Sequence, residues 1–553
     1  MKERSREVGR MGQIYRRAAR VVIWLGPESD NSSLAIRTLQ RFTKDLTDEY
    51  VFDPSKPQYR KEFSRAETLR YNQKRWHTEN NLKGSFPAIH ALLGRPWFTR
   101  LWVYQETQLT TDGLVVAGFD TMPLTEFIRA ACWFSHASVQ ILSSTEIKKL
   151  ANAIDLIRPV GVNSVEDLIR GAKSYGCQDE RDRIYALLAL FPSSFRDVPQ
   201  PDYESPVEEV YKQFFLAYMY YANLRILGSP FVRDSVSAKP IPSWIPDLSC
   251  PLYTLFYGAA SHKADHNAIY SRTDNTLQVR GTQVANIHKV HDAVAISSSD
   301  QQIFAKCVSW EPEDLSTGKY RDGRPLLDAF VEALVGGATN EWWCFLPSVK
   351  KLGVAYKKHA IDGEKAANEL SYNLAQILPG RTFFSASDGY IGICPPTALP
   401  GDIVCVVLGF RFPLVLHPML ERPGCFQMRG ECYVPGLMRR EALCGDFPRS
   451  QASGKQWTMT RNDSNSLDTY TDGVSRTQID PRLPALPPGR VTFFRFGIHG
   501  QYTIQADEYD ADGNMGKMYF GHEATGELEL ADPRMDPEVL RARGVDIQDI
   551  IIV

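Results

Sequence analysis

Val21-Val-Ile-Trp-Leu-Gly26 is a wholly apolar run, rich in β-branched residues and closed by Gly26-Pro27. It reads as a short strand, and the lack of polar alternation predicts burial on both faces, the pattern of a parallel sheet. Working outward, residues 2–20 predict a helix in which Val8, Met11, Tyr15, Ala18 and Ala19 share an apolar stripe. On the other side Asp30 or a neighbouring serine can cap a helix that starts near Leu34. Helix, buried strand, polar loop and helix make one unit of a doubly wound, flavodoxin-like α/β domain. Only about twenty mostly helical residues precede the strand, so the parallel sheet is expected to be incomplete unless Gly113-Leu-Val-Val-Ala-Gly118 pairs with it.

A chain of 553 residues exceeds a single core and predicts about three or four domains. The net charge of −2 argues against a broad phosphate-binding surface and hence against nucleic acid as a partner. The ten cysteines are scattered, with no Cys-x-x-Cys pair and no Cys/His cluster at zinc spacing, so no metal is expected and the thiols read as reduced. Met1 leads directly into a charged segment rather than a signal peptide. No apolar run reaches the roughly 20 residues that cross a bilayer. These features predict a cytoplasmic protein without a membrane span.

Along the chain, residues 1–195 form the predicted α/β domain and 196–380 a mixed, mainly helical region. Residues 381–450 form a β-rich domain, 451–490 a flexible linker, and 491–553 a C-terminal β segment. The linker expectation rests on Ser, Thr, Asn, Asp and Pro enrichment. The β-rich expectation rests on short apolar runs between Gly/Pro turns, such as Gly401-Asp-Ile-Val-Cys-Val-Val-Leu-Gly409 and Pro413-Leu-Val-Leu-His417. Pro242-Ser-Trp-Ile-Pro-Asp247 reads as a rigid extended segment. Within the first region, Thr125–Phe134 predicts a helix, and Asp179–Leu190 predicts an acidic helix start followed by an apolar helix.

The chemistry candidates are few. Gly-rich phosphate loops, His-Glu-x-x-His and Gly-x-Ser-x-Gly are all absent, and His417, His288 and His291 read as structural or surface residues rather than ligands. In Arg95–Leu109 a helix is predicted from Pro96, which suits a first turn. There Trp102, Glu106 and Leu109 fall at i, i+4 and i+7 on one face. A carboxylate beside bulky apolar residues is desolvated and its pKa rises, which suits acid–base or electrostatic chemistry. The plainer alternative is a surface ion pair between Glu106 and Arg100.

Three stretches together resemble the second half of the fungal HET (heterokaryon incompatibility) domain: Met11-Gly-Gln-Ile-Tyr15 running into Trp24-Leu-Gly26, Arg95-Pro-Trp-Phe through Gln105-Glu106, and Asp179–Leu190. Pro242–Asp247, Gly389-Tyr-Ile-Gly392, Gly401-Asp402, Gly430-Glu-Cys-Tyr433 and Gly436-Leu-Met438 match segments that commonly follow that domain. The resemblance implies non-self recognition and regulated cell death in filamentous fungi, acting through protein partners or self-association with no cofactor required. Upstream family segments resembling Leu-Ser-Tyr-x-Trp-Gly and Trp-Ile-Asp-x-x-Cys-Ile-Asn-Gln are absent, so the first strands of the domain are expected to be missing. HET domains are also distantly similar to TIR domains, many of which cleave NAD. Trp102-Val-Tyr-Gln-Glu106 has the TIR spacing from Trp to catalytic Glu, with Val103 where Cys is common. That likeness implies an NAD glycohydrolase with Glu106 as its catalytic carboxylate, and Trp24, Gly26, Arg100 and Trp102 around the NAD. A non-catalytic signalling module is the expectation favoured for this chain.

Overall fold

Two units organise the chain in the computed structural model: Met1–Tyr221 with Asp247–Tyr253, and Ala222–Pro246 with Thr254–Val553. The structure describes residues 2–45, 83–138, 144–157, 165–192, 195, 200–222, 241–248, 256, 258–261, 263–264, 268–337, 352–357, 368–462, 467–495, 502–504, 517–529 and 531–553.

The first unit begins with α1 (Lys2–Arg17), β1 (Val21–Trp24) and α2 (Ser32–Asp45). It continues with α3 (Phe86–Leu93), α4 (Val103–Gln108), β2 (Gly113–Ala117), β3 (Asp120–Pro123) and α5 (Leu124–Ser138). Then come α6 (Ser144–Ile157), α7 (Val165–Ala172), α8 (Asp182–Tyr185) and α9 (Val207–Ala222). The neighbour anticipated for the first strand is present: β1 runs parallel to β2 from Val21↔Gly113 to Trp24↔Val116, and β3 adds antiparallel to β2.

Burial on both faces is overturned. Val21, Ile23, Val115, Ala117 and Met122 are buried on the side of α2 and α5. Val22 and Trp24 are 59% and 53% exposed, because among the described residues no element covers the opposite parity. Among the described residues the sheet is mixed and three-stranded, with β1 at its edge. The doubly wound, flavodoxin-like expectation therefore reduces to a mixed α/β unit.

The helix expected from Pro96 is also divided. Pro96–Thr99 is a 3-10 turn, Arg100 is extended and bridges Gly176, and only then does α4 start. Likewise the apolar helix expected after Asp179 is one turn of α8 followed by a 3-10 turn at Leu188–Leu190.

The second unit contains β4 (Ile269–Ser271), β5 (Thr276–Val290), α10 (Asp300–Ser309), α11 (Leu326–Leu334) and α12 (Asn368–Ile377). The strands β6 (Thr382–Ala386), β7 (Ile391–Cys394), β8 (Ile403–Val407), β9 (Leu414–Pro418) and β10 (Cys425–Glu431) follow. They pair in the order β10-β9-β8-β5-β6-β7. A bridge between Ile393 and Tyr433, just past β10, ties the last strand back to the first. The sheet thereby closes into a barrel and loses those two open edges.

Alternate side chains from these strands (Ile287, Phe384, Cys394, Val404, Val415 and Cys432 among them) form one buried cluster, the barrel interior. The opposite parity, Phe383, Ile393 and Tyr433, packs outward with Ile303, Phe330 and Leu374 of the helices. The terminal strand β18 (Gln548–Ile552) extends the sheet, antiparallel to β5 and parallel to β10. Pro242–Pro246 is a turn rather than an extended segment: Ile245 N–H donates to the Pro242 carbonyl, and Trp244 is buried with its indole on the Asn275 carbonyl.

Residues 451–490 are not a linker in their described part. They carry the antiparallel strands β11 (Thr458–Asn462), β12 (Leu467–Thr471) and β13 (Arg476–Thr477). Buried Arg440 anchors them, pairing with Asp468 and Asp480 and donating to the Tyr470 hydroxyl at 2.7 Å. Next come β14 (Arg490–Arg495), β15 (Tyr502–Ile504), β16 (Lys517–His522) and β17 (Leu528–Glu529), a four-stranded antiparallel sheet.

At the end of the barrel Arg381 meets Glu431 at 2.7 Å, donates to the Glu431 carbonyl at 3.0 Å and lies 4.7 Å over the Phe256 ring. Both side chains are buried, so removing one leaves an uncompensated charge. Arg381→Ala is expected to cost about 3–5 kcal/mol, measured as a lowered urea midpoint with an unchanged slope.

Candidate functional site

Helix α1 positions the groups around Glu106. Gly12 faces Ala189 so closely that a Cβ there would overlap the alanine methyl. This approach carries Tyr15 onto α4, where its hydroxyl lies beside the Glu106 carboxylate and favours its charged form. The Arg100 charge favours that carboxylate's ionised form, as does the neighbouring Trp97 indole from the 3-10 turn before α4. Burial outweighs these partners and raises the Glu106 pKa. The Tyr15 hydroxyl is in turn pushed up to about 12, by burial first and then by Glu106.

The remaining expected site residues separate. Trp102 turns to α8, where its indole donates to Asp182 Oδ2 at 3.1 Å. Asp182 also accepts from the Tyr203 hydroxyl and pairs with Arg4 of α1 at 3.4 Å. Arg4 stacks 3.7 Å over the Tyr203 ring and reaches Asp179 at 3.1 Å. Burial raises the Asp182 pKa despite these donors. Trp24 stands on the open face of β1, and Gly26 follows it at φ +110°, a conformation that favours glycine. Arg95 ties down this turn, donating to the Leu25 carbonyl at 3.0 Å and to the Ser29 carbonyl and hydroxyl at 3.1 and 2.9 Å.

The expected set thus falls into three places: Glu106 with Arg100, Trp102 with Asp182, and Trp24 with Gly26. Sequence reasoning gave no role to Tyr15, Trp97, Arg4, Asp182 or Tyr203. Tyr15 and Trp97 lay within quoted motifs, but nothing local to them signals which carboxylate they meet.

In the second unit, His417 Nδ1 lies 2.7 Å from Asp402, which accepts the Leu399 amide at 2.9 Å. This closes the Gly401-Asp402 turn into β8 and is the structural role expected of both. His288 meets Ser385 at 3.3 Å across β5 and β6.

The pH dependence of stability tests the burial of Glu106. Its folded pKa lies above the ordinary value of 4.5, so its contribution favours folding in acid and is lost as pH rises through the folded value. Glu106→Gln removes this titration. Relative to wild type, the variant is expected to gain stability as pH is raised from about 4 to about 8, measured by urea midpoints. A pH-independent difference would contradict the burial.

Comparison with known proteins gives two family matches. Residues 1–106 match the heterokaryon incompatibility protein (HET) model, and 338–445 match the Het-6 β-barrel domain. The second match takes in β6–β10 of the barrel. A curated relative, heterokaryon incompatibility protein 6, OR allele, of Neurospora crassa, is 25% identical over 292 residues. That alignment covers 44% of this chain and 42% of the relative, so the chain spans under half the length of the curated protein it matches. No solved structure matches. A segment similar to the HET domain is thus followed by one similar to the Het-6 barrel, an arrangement that supports a fungal HET-domain protein.

Proposed function

We propose that this chain acts in fungal non-self recognition as a non-catalytic module that signals heterokaryon incompatibility and cell death through protein partners or self-association. One observation supports this reading most: two of the side chains that the TIR likeness would assign to NAD, Glu106 and Trp102, are engaged within the fold. Glu106 lies beside Tyr15 and Trp97, and Trp102 donates to Asp182. Among the described residues no helix is long and apolar enough to cross a membrane.

A second reading, a TIR-like NAD glycohydrolase, draws support from the desolvated carboxylate of Glu106. A carboxylate can stabilise an oxocarbenium-like centre as a glycosidic bond breaks. Expression of wild type and Glu106→Gln in a filamentous fungus, with viability and cellular NAD followed together, separates the two. The module reading expects equal killing by both proteins with NAD unchanged. Wild-type NAD loss that disappears together with killing in the variant would transfer the assignment to the enzyme.

A further inference from the structure

The seam that closes the barrel rests on one backbone bridge, and two thiols stand beside it. Ile393 and Tyr433 exchange both of their hydrogen bonds: Ile393 N–H donates to the Tyr433 carbonyl at 3.0 Å, and Tyr433 N–H to the Ile393 carbonyl at 2.9 Å. In an antiparallel pair the adjacent residues, Cys394 of β7 and Cys432 just past β10, then stand directly opposite each other with no hydrogen bond between them. The Cys432 amide agrees with this register, since it donates the other way, to the Pro413 carbonyl at 2.9 Å. Both cysteines are fully buried in the barrel interior, whereas Ile393 and Tyr433 pack on its outer side. The two thiols therefore share one face.

Opposite residues of this kind have Cα atoms about 4.5 Å apart, within the separation of about 4.4–6.8 Å that a disulfide spans. The backbone cannot lengthen the seam. The next hydrogen-bonded pairs on either side would be 391 with 435 and 395 with 431, and Pro435 and Pro395 each lack the amide that a full pair needs. Cys405 of β8 stands at the parity opposite to Val404, outside the interior cluster, so it does not compete for this pairing. We propose that Cys394 and Cys432 form a redox-responsive pair, which a peroxide oxidises to a disulfide that staples the barrel seam.

One sulfur attacks the peroxide O–O bond as its thiolate, becoming a sulfenic acid and releasing hydroxide. The second sulfur then displaces the sulfenic hydroxyl, and the S–S bond forms. Two thiols and one hydrogen peroxide thus give one disulfide and two waters, the sulfurs losing two electrons to the peroxide oxygens. Oxidation gives up the weak bond from the Cys432 thiol to the Pro413 carbonyl at 3.5 Å. Burial pushes both thiols well above the ordinary value of 9.0, so the closed barrel keeps them protonated and slow to react. Reaction therefore follows local opening of the seam.

The test treats the full-length chain with hydrogen peroxide, in buffer and in urea just below its unfolding midpoint. Remaining thiols are then blocked with iodoacetamide and the linkages mapped by mass spectrometry. The expected result is a Cys394–Cys432 disulfide under both conditions, formed faster in urea, where the seam opens more often. The oxidised chain should unfold at a higher urea midpoint, and dithiothreitol should return it to the starting value. Cys394→Ala treated alike should show no such shift, and the wild-type map decides the pairing even where that variant folds poorly. Sulfinic acid at either residue in place of the link, or links that join them to Cys405 or to other cysteines, would overturn the proposal. So would thiols that stay reduced under both conditions, or a Cys394–Cys432 disulfide that leaves the midpoint unchanged.

Discussion

Two carboxylates withdrawn from water fix the first helix. Glu106 on α4 and Asp182 on α8 each carry a raised pKa from burial, and each finds a partner on α1, Tyr15 in one case and Arg4 in the other. Between those two points Gly12 admits Ala189 at a distance no side chain would allow. The helix is thus held at both ends by polar pairs and in the middle by close packing. Leaving either carboxylate unpaired would strand a buried polar group, which is costly. This arrangement fixes where the chain leaves α1, and hence where β1 lies against β2.

Much of this architecture was legible in the sequence. The apolar run at Val21 announced a strand, and the run at Gly113 its parallel neighbour, because β-branched residues bounded by glycine carry a strong local signal. The barrel strands were readable for the same reason, since Gly and Pro mark each turn. Solvent exposure was not readable. A wholly apolar strand looks alike whether both faces are covered or one is open, and periodicity cannot show which helices arrive. The break at Arg100 was hidden too, because its cause is a bridge to Gly176, far along the chain.

The stretch after the barrel shows the converse error. Its Ser, Thr, Asn and Asp content suggested a solvated linker, yet Asp468, Tyr470 and Asp480 are buried. What makes that possible is Arg440, whose guanidinium satisfies all three. Polar composition predicts exposure only when no partner is available, and the partner here lies well outside any local window. The candidate site was legible to the same degree. Helical spacing singled out Glu106 as desolvated, but Trp102, one of the neighbours it invoked, turns to Asp182, and the groups around the carboxylate come from α1 and from the turn before α4.

The central claim is that the Glu106 carboxylate serves the fold by holding α1. A double-mutant cycle between Tyr15→Phe and Glu106→Gln, read by urea unfolding of the full chain, tests it most directly. If the pair anchors α1, the two changes should be coupled by about 0.5–3 kcal/mol, the double variant losing less stability than the sum of the singles. Additive effects would mean that Glu106 does not hold the helix, and would contradict the structural role assigned to it.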